Sequence, residues 1–239
     1  MVVNREQQAP ATVVDLAHTT LRELNARLHA HNGSNDGSTW RVLHPRGAHA
    51  LAAGLDVPLA VEIAGHAGYY CAGMNQRATV VVDGNAGPGV AENMMSGVVR
   101  VRGDASQNAG ASAHGGLLVI EGSAAARCGI SLKGADIVVC GSVGHLSAFM
   151  AQAGTLVVLG DAGDDLGDSL YEAELYVRGT VGRLGADCEL KPMDDLHRRT
   201  LRAKLDAAGL GADVDVASFA RLGSARRLYH FHPDNVGAY

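Results

Sequence analysis

The sequence predicts an all-β solenoid, most simply a right-handed parallel β-helix of about seven 19-residue coils with α/β caps at its ends. Three observations predict it. Glycine recurs at Gly65, Gly84, Gly103, Gly122, Gly141, Gly160 and Gly179, a strict step of 19 residues without insertion. A β-branched residue stands two before each glycine and an aliphatic one four before, from Val61 and Ile63 through to Leu175 and Val177. Small residues stand three after each (Gly68, Gly87, Ser106, Ala125, Gly144, Gly163, Gly182) and seven after (Ala72, Ala91, Gly110, Gly129, Ala148, Gly167, Ala186).

Each position has a physical reading. Apolar residues spaced by two put one strand per coil with its aliphatic side inward. The glycine that follows is expected to let the chain turn through unusual dihedrals. The small residues mark bends around a narrow interior. A helix pair is excluded, because glycine recurs too often and the apolar period is 2 rather than 3.6. A single coil cannot bury its own face, so coils stack, share backbone hydrogen bonds and enclose one core. The right hand is the one that parallel crossovers take. Seven coils at a strand spacing of about 4.8 Å span roughly 34 Å.

Three regions follow: an N-terminal cap over 1–58, the β-helix over 59–190, and C-terminal helices with a tail over 191–239. In the first, ATVVDL reads as a strand. Thr19 or Thr20 caps a helix through LRELNARLHA, ended by Asn32-Gly33. GSNDGS is a loop and TWRVLHP a second strand. In the last, MDDLHRRTLRAKLDAAGL is an amphipathic helix, begun at Asp194-Asp195 and stopped at Gly209. DVASFARLG reads as a short second helix, and ARRLYHFHPDNVGAY as an ordered tail.

The chain has 239 residues, 47% of them hydrophobic, with a formal net charge of −5. That hydrophobic share excludes wholesale disorder. With no clustered Lys and Arg, nucleic acid is not an expected partner. No apolar run reaches the length of a membrane span, and MVVNREQQAP lacks a secretory signature, so a cytoplasmic location is expected. Cys71, Cys128, Cys140 and Cys188 form no CxxC pair and read as reduced, mostly buried thiols.

No nucleophile elbow, P-loop or HExxH is present, and no catalytic, cofactor-binding or metal-binding residue is assigned. Asp161, Asp164, Asp165 and Asp168 could suit calcium, but only one coil carries them, which favours a solvated acidic turn. His230 and His232 alternate in the tail beside Asp234 without a third ligand. Asn75, Gln76, Asn93, Gln107, Asn108 and His114, with Glu92 and Ser112, form a polar set in which amides dominate. Their chemistry suits contact with a partner or the lining of a passage for a polar small molecule better than catalysis. Three before each glycine, on the side facing out, stand Glu62, Val81, Arg100, Val119, Val138, Val157 and Tyr176. This apolar-rich stripe needs a cover, from the chain's own terminal helices or from a partner protein.

The stretch from Val61 to Cys188, with VRGDASQNAGASAHGGLLVIEG, ARCGISLKG, GSVGHLSAFMAQAGTLVVLGDAG and YVRGTVGRLGAD, resembles the glycine-rich (GXGXG) β-helix family. That family includes the C-terminal domain of the glutamate synthase large subunit and a structural subunit of formylmethanofuran dehydrogenase. The ending GSARRLYHFHPDN is similar to the stand-alone small subunit of N-methylglutamate synthase and related three-subunit enzymes. The resemblance implies a subunit without catalytic residues that braces an amidotransferase-like subunit and a synthase subunit and helps wall the ammonia or methylamine route between them. It places the FMN and the iron–sulfur cluster on the synthase partner and none on this chain. Self-association stays open, as do the formylmethanofuran dehydrogenase type and a self-contained β-helix enzyme.

Overall fold

In a computed structural model, residues 12–31 and 39–225 are described. Strands β1 (Thr12–Asp15) and β2 (Thr39–Leu43) flank helix α1 (Leu21–His29). Seven strands carry the repeat: β3 (Ala60–Ala64), β4 (Thr79–Val82), β5 (Val98–Val101), β6 (Leu117–Ile120), β7 (Lys133–Val139), β8 (Ala153–Val158) and β9 (Glu174–Val177). β10 (Cys188–Lys191), α2 (Asp195–Ala207) and β11 (Ala220–Ser224) follow. All strands join one sheet in the order β1-β2-β3-β4-β5-β6-β7-β8-β9-β11-β10.

The expected β-solenoid of about seven turns is what forms. From β3 to β9 every pairing is parallel and steps by 19, as in Val61, Val80, Val99, Leu118, Ile137, Leu156 and Leu175, save at the start of β7, where Lys133 pairs with Ala153 before the register shifts. The aliphatic residues two and four before the glycines are each at most 1% exposed. A second parallel wall is bridged through Ala67, Ala86, Ala105, Ala124, Val143, Ala162 and Val181. Small residues keep the walls close: a Cβ on Gly110 would stand 3.2 Å from Leu118 Cδ2 and against Ile137 Cδ1 as well.

The register glycines serve a different purpose from the one expected. Gly65 has φ 140°, but the six that follow have no positive φ. The chain turns later, through positive φ at five, seven and nine residues after the glycine, as at Tyr70, Ala72 and Met74 or Asp165, Gly167 and Ser169. What the register glycines supply is room. The residue after each of the first six leans onto the next coil and accepts a backbone N–H 19 residues on. Asn85 N donates to His66 Nδ1 (2.9 Å), Asp104 N to Asn85 Oδ1 (3.0 Å), Ser123 N to Asp104 Oδ1 (2.8 Å), Ser142 N to Ser123 Oγ (3.1 Å), Asp161 N to Ser142 Oγ (3.0 Å) and Thr180 N to Asp161 Oδ1 (2.7 Å). A Cβ on Gly160 would lie 2.6 Å from Ser142 Oγ, and one on Gly122 2.8 Å from Gly103 O. Any other residue would push out both the bonding side chain and the neighbouring coil.

The stack begins before the first register glycine. β2 lies parallel on β3, with Thr39 against Ala60, and residues 44–59 form a coil joined to the next through Gly47 N to His66 O and Gly54 N to Gly73 O. Its open end is sealed by α1. Thr20 caps that helix in a reciprocal pair with Glu23, and Leu24 and Leu28 are fully buried in the solenoid core. Asn25 clasps the coil below, donating to Ala50 O and accepting from Ala52 N. The helix ends at Ala30; the Asn32-Gly33 stop and GSNDGS lie outside the described residues.

At the other end Asp194 caps α2 by accepting His197 N (2.9 Å), and Gly209 follows the helix with φ 79°. The expected second helix in DVASFARLG is corrected. A 3-10 turn covers only Val216–Ser218, and the chain then runs as β11, antiparallel between β9 and β10. A nine-residue stretch is too short to hold a helix by itself, and the unpaired edge of β9 offers it hydrogen bonds that a helix would leave unused.

The inter-coil bonds generate two predictions. Gly122→Ala lowers stability by about 1–3 kcal/mol, read as the urea midpoint, through coil separation at Asp104 and Gly103. The two bonds from Thr180, backbone first and hydroxyl second, hold the Asp161 carboxyl below its ordinary value of 3.8. A depressed carboxylate stabilises the fold above its unfolded pKa, and that share is lost as pH falls through the folded value. Thermal melts from pH 6 down to pH 2 therefore fall less steeply for Asp161→Asn than for the parent.

Candidate functional site

The outward stripe is covered over one half only, among the described residues. Val119, Val138, Val157 and Tyr176 are fully buried against Leu201, Leu205, Ala208 and Phe219, so the chain's own C-terminal segment covers β6 to β9. α2 runs along the stack. His197 Nε2 lies 3.5 Å from Glu174 at β9, Lys204 Nζ 2.8 Å from Asp136 at β7, and Arg100 of β5 donates to Ala208 O at the helix end. There the cover stops.

Beyond it the described residues leave a groove of about 510 Å3 on the outer face of β2 to β4, lined among others by Arg41, Glu62, Val81 and Arg102. Arg41 lies 3.6 Å from Glu62, and Arg102 2.6 Å from Asp83. The two guanidinium side chains are 48% and 55% exposed against 30% and 22% for their carboxylates, so positive charge forms the rim. Burial, with Asp83 alongside, pushes the Glu62 carboxyl above its ordinary range.

The polar set selected from sequence does not converge on one site. Asn75 is fully buried, and its Nδ2 donates to Ala78 O (2.9 Å) and Ser96 O (3.1 Å). It ties two coils together at the register where Met94, Leu132 and Leu170 fill the core. Asn93 and Asn108 hold left-handed backbone (φ 55° and 62°), which asparagine tolerates better than most residues. Gln107 and Asn108 sit four and five after their glycine, whereas Gln76 and His114 sit eleven after theirs, on a different stretch of the coil. Gln76, Gln107 and His114 are exposed. Glu92 is half-buried, which pushes its carboxyl up.

The acidic turn is occupied by coil-to-coil bonding. Asp161 and Asp164 accept Thr180 N and Arg183 N, Asp165 pairs with Arg183 at 2.8 Å, and Asp168 accepts Ser169 Oγ. Among the described residues no group of three His, Cys, Asp or Glu is placed to hold a metal ion. His230 and His232 lie outside the described residues. Burial pushes the Cys71 and Cys128 thiols up to about 12 and Cys188 up to about 11. Among the described residues no helix is long and apolar enough to cross a membrane.

A second cleft, of about 560 Å3, opens where the β1–α1 turn meets the turn after β2. His18, His44 and Arg46 line it. His44 Nδ1 is 2.7 Å from Asp15, whose carboxyl is held below its usual range first by Ala17 N and then by His44. His44 and Arg46 both have left-handed backbone (φ 50° and 48°). These residues escaped the sequence reading because they lie in a coil without a register glycine. The HPR triplet directly after TWRVL is the available signal, a polar cluster at the C-terminal end of a strand.

Glycine-laddered coils, closed by α1 at one end and half covered on the outer face by α2, define a β-solenoid protein. No family model matches the chain. Protein GlxC of Rhizobium meliloti (strain 1021) is 61% identical over 228 residues, which span 95% of this chain and 99% of that protein. The chain belongs to the GlxC family. A chain in the X-ray crystal structure of the formyltransferase/hydrolase complex (FhcABCD) from Methylorubrum extorquens, solved with methylofuran, matches with a TM-score of 0.60 at 23% identity. The match covers 85% of this chain and 86% of that one, and shows a shared fold.

Thiol burial sets an expectation for reactivity. In the folded protein a disulfide reagent at pH 8 labels Cys140, the half-buried thiol, slowly and leaves Cys71, Cys128 and Cys188 unlabelled. In denaturant all four react at one rate, as counted by mass.

Proposed function

We propose that this chain is a non-catalytic β-helix subunit of a glutamate-synthase-like complex of the N-methylglutamate synthase type. It braces an amidotransferase-like subunit and a synthase subunit bearing FMN and an iron–sulfur cluster, and it helps wall the path of ammonia or methylamine between them, in the cytoplasm. The observation that supports this best is how the chain uses its polar groups. Asn85, Asp104, Asp161 and Asn75 are engaged in coil-to-coil bonds, while the described residues leave a groove on the outer face. Stiffness and free surface suit a spacer. A fixed separation of two reacting centres converts an encounter in bulk water into a directed transfer, and walls keep a small amine from escaping.

A second reading has its own support. The structural neighbour is a chain of a multi-subunit formyltransferase/hydrolase complex, and a structural subunit of a formylmethanofuran dehydrogenase-type complex would use the same scaffold.

Purification through this chain from cells that carry its native partners separates these readings. The expected result is two larger chains held with it, flavin and iron on one of them, and no amidotransferase or flavin-dependent activity in the isolated 239-residue chain. Full coupled activity from the partners without this chain overturns the spacer role. A molybdenum or tungsten partner selects the second reading.

A further inference from the structure

The outer face of the sheet shows how this molecule chooses a cover. Over β6 to β9 the cover is a basic helix on an acidic rim: Lys204 of α2 bonds Asp136, and Arg221 of β11 bonds Glu174 at 2.8 Å. α2 also carries Arg198, Arg199 and Arg202. Its axis follows the stack, and it ends where Arg100 takes the Ala208 carbonyl. From Arg100 back to Arg41 the same stripe continues through Val81 and Glu62 with nothing described upon it.

On this uncovered part the charge order is reversed. The outermost groups are the Arg41 and Arg102 guanidinium groups, with Glu62 and Asp83 set deeper beneath them. Burial and the neighbouring Asp83 push the Glu62 carboxyl up, and in both pairs the guanidinium is the more exposed partner, so an incoming segment meets positive charge first. A second α2-like helix, basic as α2 is, would meet like charge there. Size is also fixed. Three strand steps from β2 to β5 span about 14 Å at 4.8 Å each, the length of about nine helical residues at 1.5 Å per residue.

We infer that the groove over β2 to β4 is the docking site for a short acidic helical segment of a larger partner subunit, laid end to end with α2 and pairing its carboxylates with Arg41 and Arg102. Val81 and Ala60 supply the small apolar floor that such a segment would cover. The segment completes the sheet's outer face as α2 completes the other half, with the signs of the charges exchanged. This rests on the subunit role proposed above and adds to it which surface engages a partner, and by what chemistry.

The test uses the complex recovered through the full-length chain from cells containing its native partners. Arg41→Glu/Arg102→Glu is compared with Arg41→Lys/Arg102→Lys and with the parent. The lysine pair keeps both ion pairs and should melt with the parent; the reversed pair sets carboxylates against Glu62 and Asp83, so Arg41→Gln/Arg102→Gln replaces it if its melting point falls. The lysine pair should hold the partner at parental stoichiometry. The glutamate or glutamine pair should lose a partner, with affinity weakened on the order of 100-fold for reversal, since like charges brought together cost several kcal/mol. Parental binding should also weaken as salt rises. Undiminished partner stoichiometry in the reversed variant overturns the inference, as does a homodimer that the variant alone disrupts. If even the parent recovers no larger chain, the subunit role itself fails, which is a different result.

Discussion

The structure depends on a side chain crossing a glycine. In six successive coils the residue after the register glycine leans onto the next coil and accepts a backbone N–H there, in an unbroken series that starts at His66 and ends on the Thr180 N–H. Ordinary parallel pairing bonds backbone to backbone along the two walls. Here a third line of bonds runs down a corner, where turning backbone would otherwise present unsatisfied N–H groups. The glycine is small because the bond must pass over it, and the acceptor changes freely among His, Asn, Asp and Ser because any short polar atom at that height will serve. Invariance at one position and chemical tolerance at the next thus have one cause.

This explains what was legible in the sequence. The 19-residue step and the inward aliphatics could be read because each reflects one residue type meeting one environment seven times over, and the stripe three before each glycine could be read because its position follows from theirs. The row of acceptors could not, since its members share only a polar atom and look like ordinary turn residues. The coil at 44–59 escaped for a related reason: its strand stands 21 residues before the next, Thr39 against Ala60, and His44 stands where the register glycine would be. DVASFARLG misled because helical pattern is local, whereas the bonding offered by β9 is not. The polar set failed as a site in an instructive way. Asn75, Asn93 and Asn108 are amides for reasons of backbone, one as a buried tie between coils and two as occupants of left-handed turns, and sequence alone does not distinguish those duties from recognition.

The covering of the outer face connects folding to assembly. A solenoid with a bare apolar side would aggregate, and α2 removes that hazard over its own span by burying Val119, Val138, Val157 and Tyr176. What remains over β2 to β4 is charged enough to stay in water yet shaped like the bed that α2 occupies. A surface of that kind is compatible with the docking proposed above.

The reversal of direction at β11 has one more consequence. By entering antiparallel between β9 and β10, it ends the parallel stack in a way that no further coil can extend. The molecule is therefore a ruler with a stop at its end. Its length is counted in whole graduations of about 4.8 Å, and removing one 19-residue cassette would shorten it by a single graduation while every remaining neighbour met an equivalent one. Distance, in such a protein, is encoded as a number of repeats.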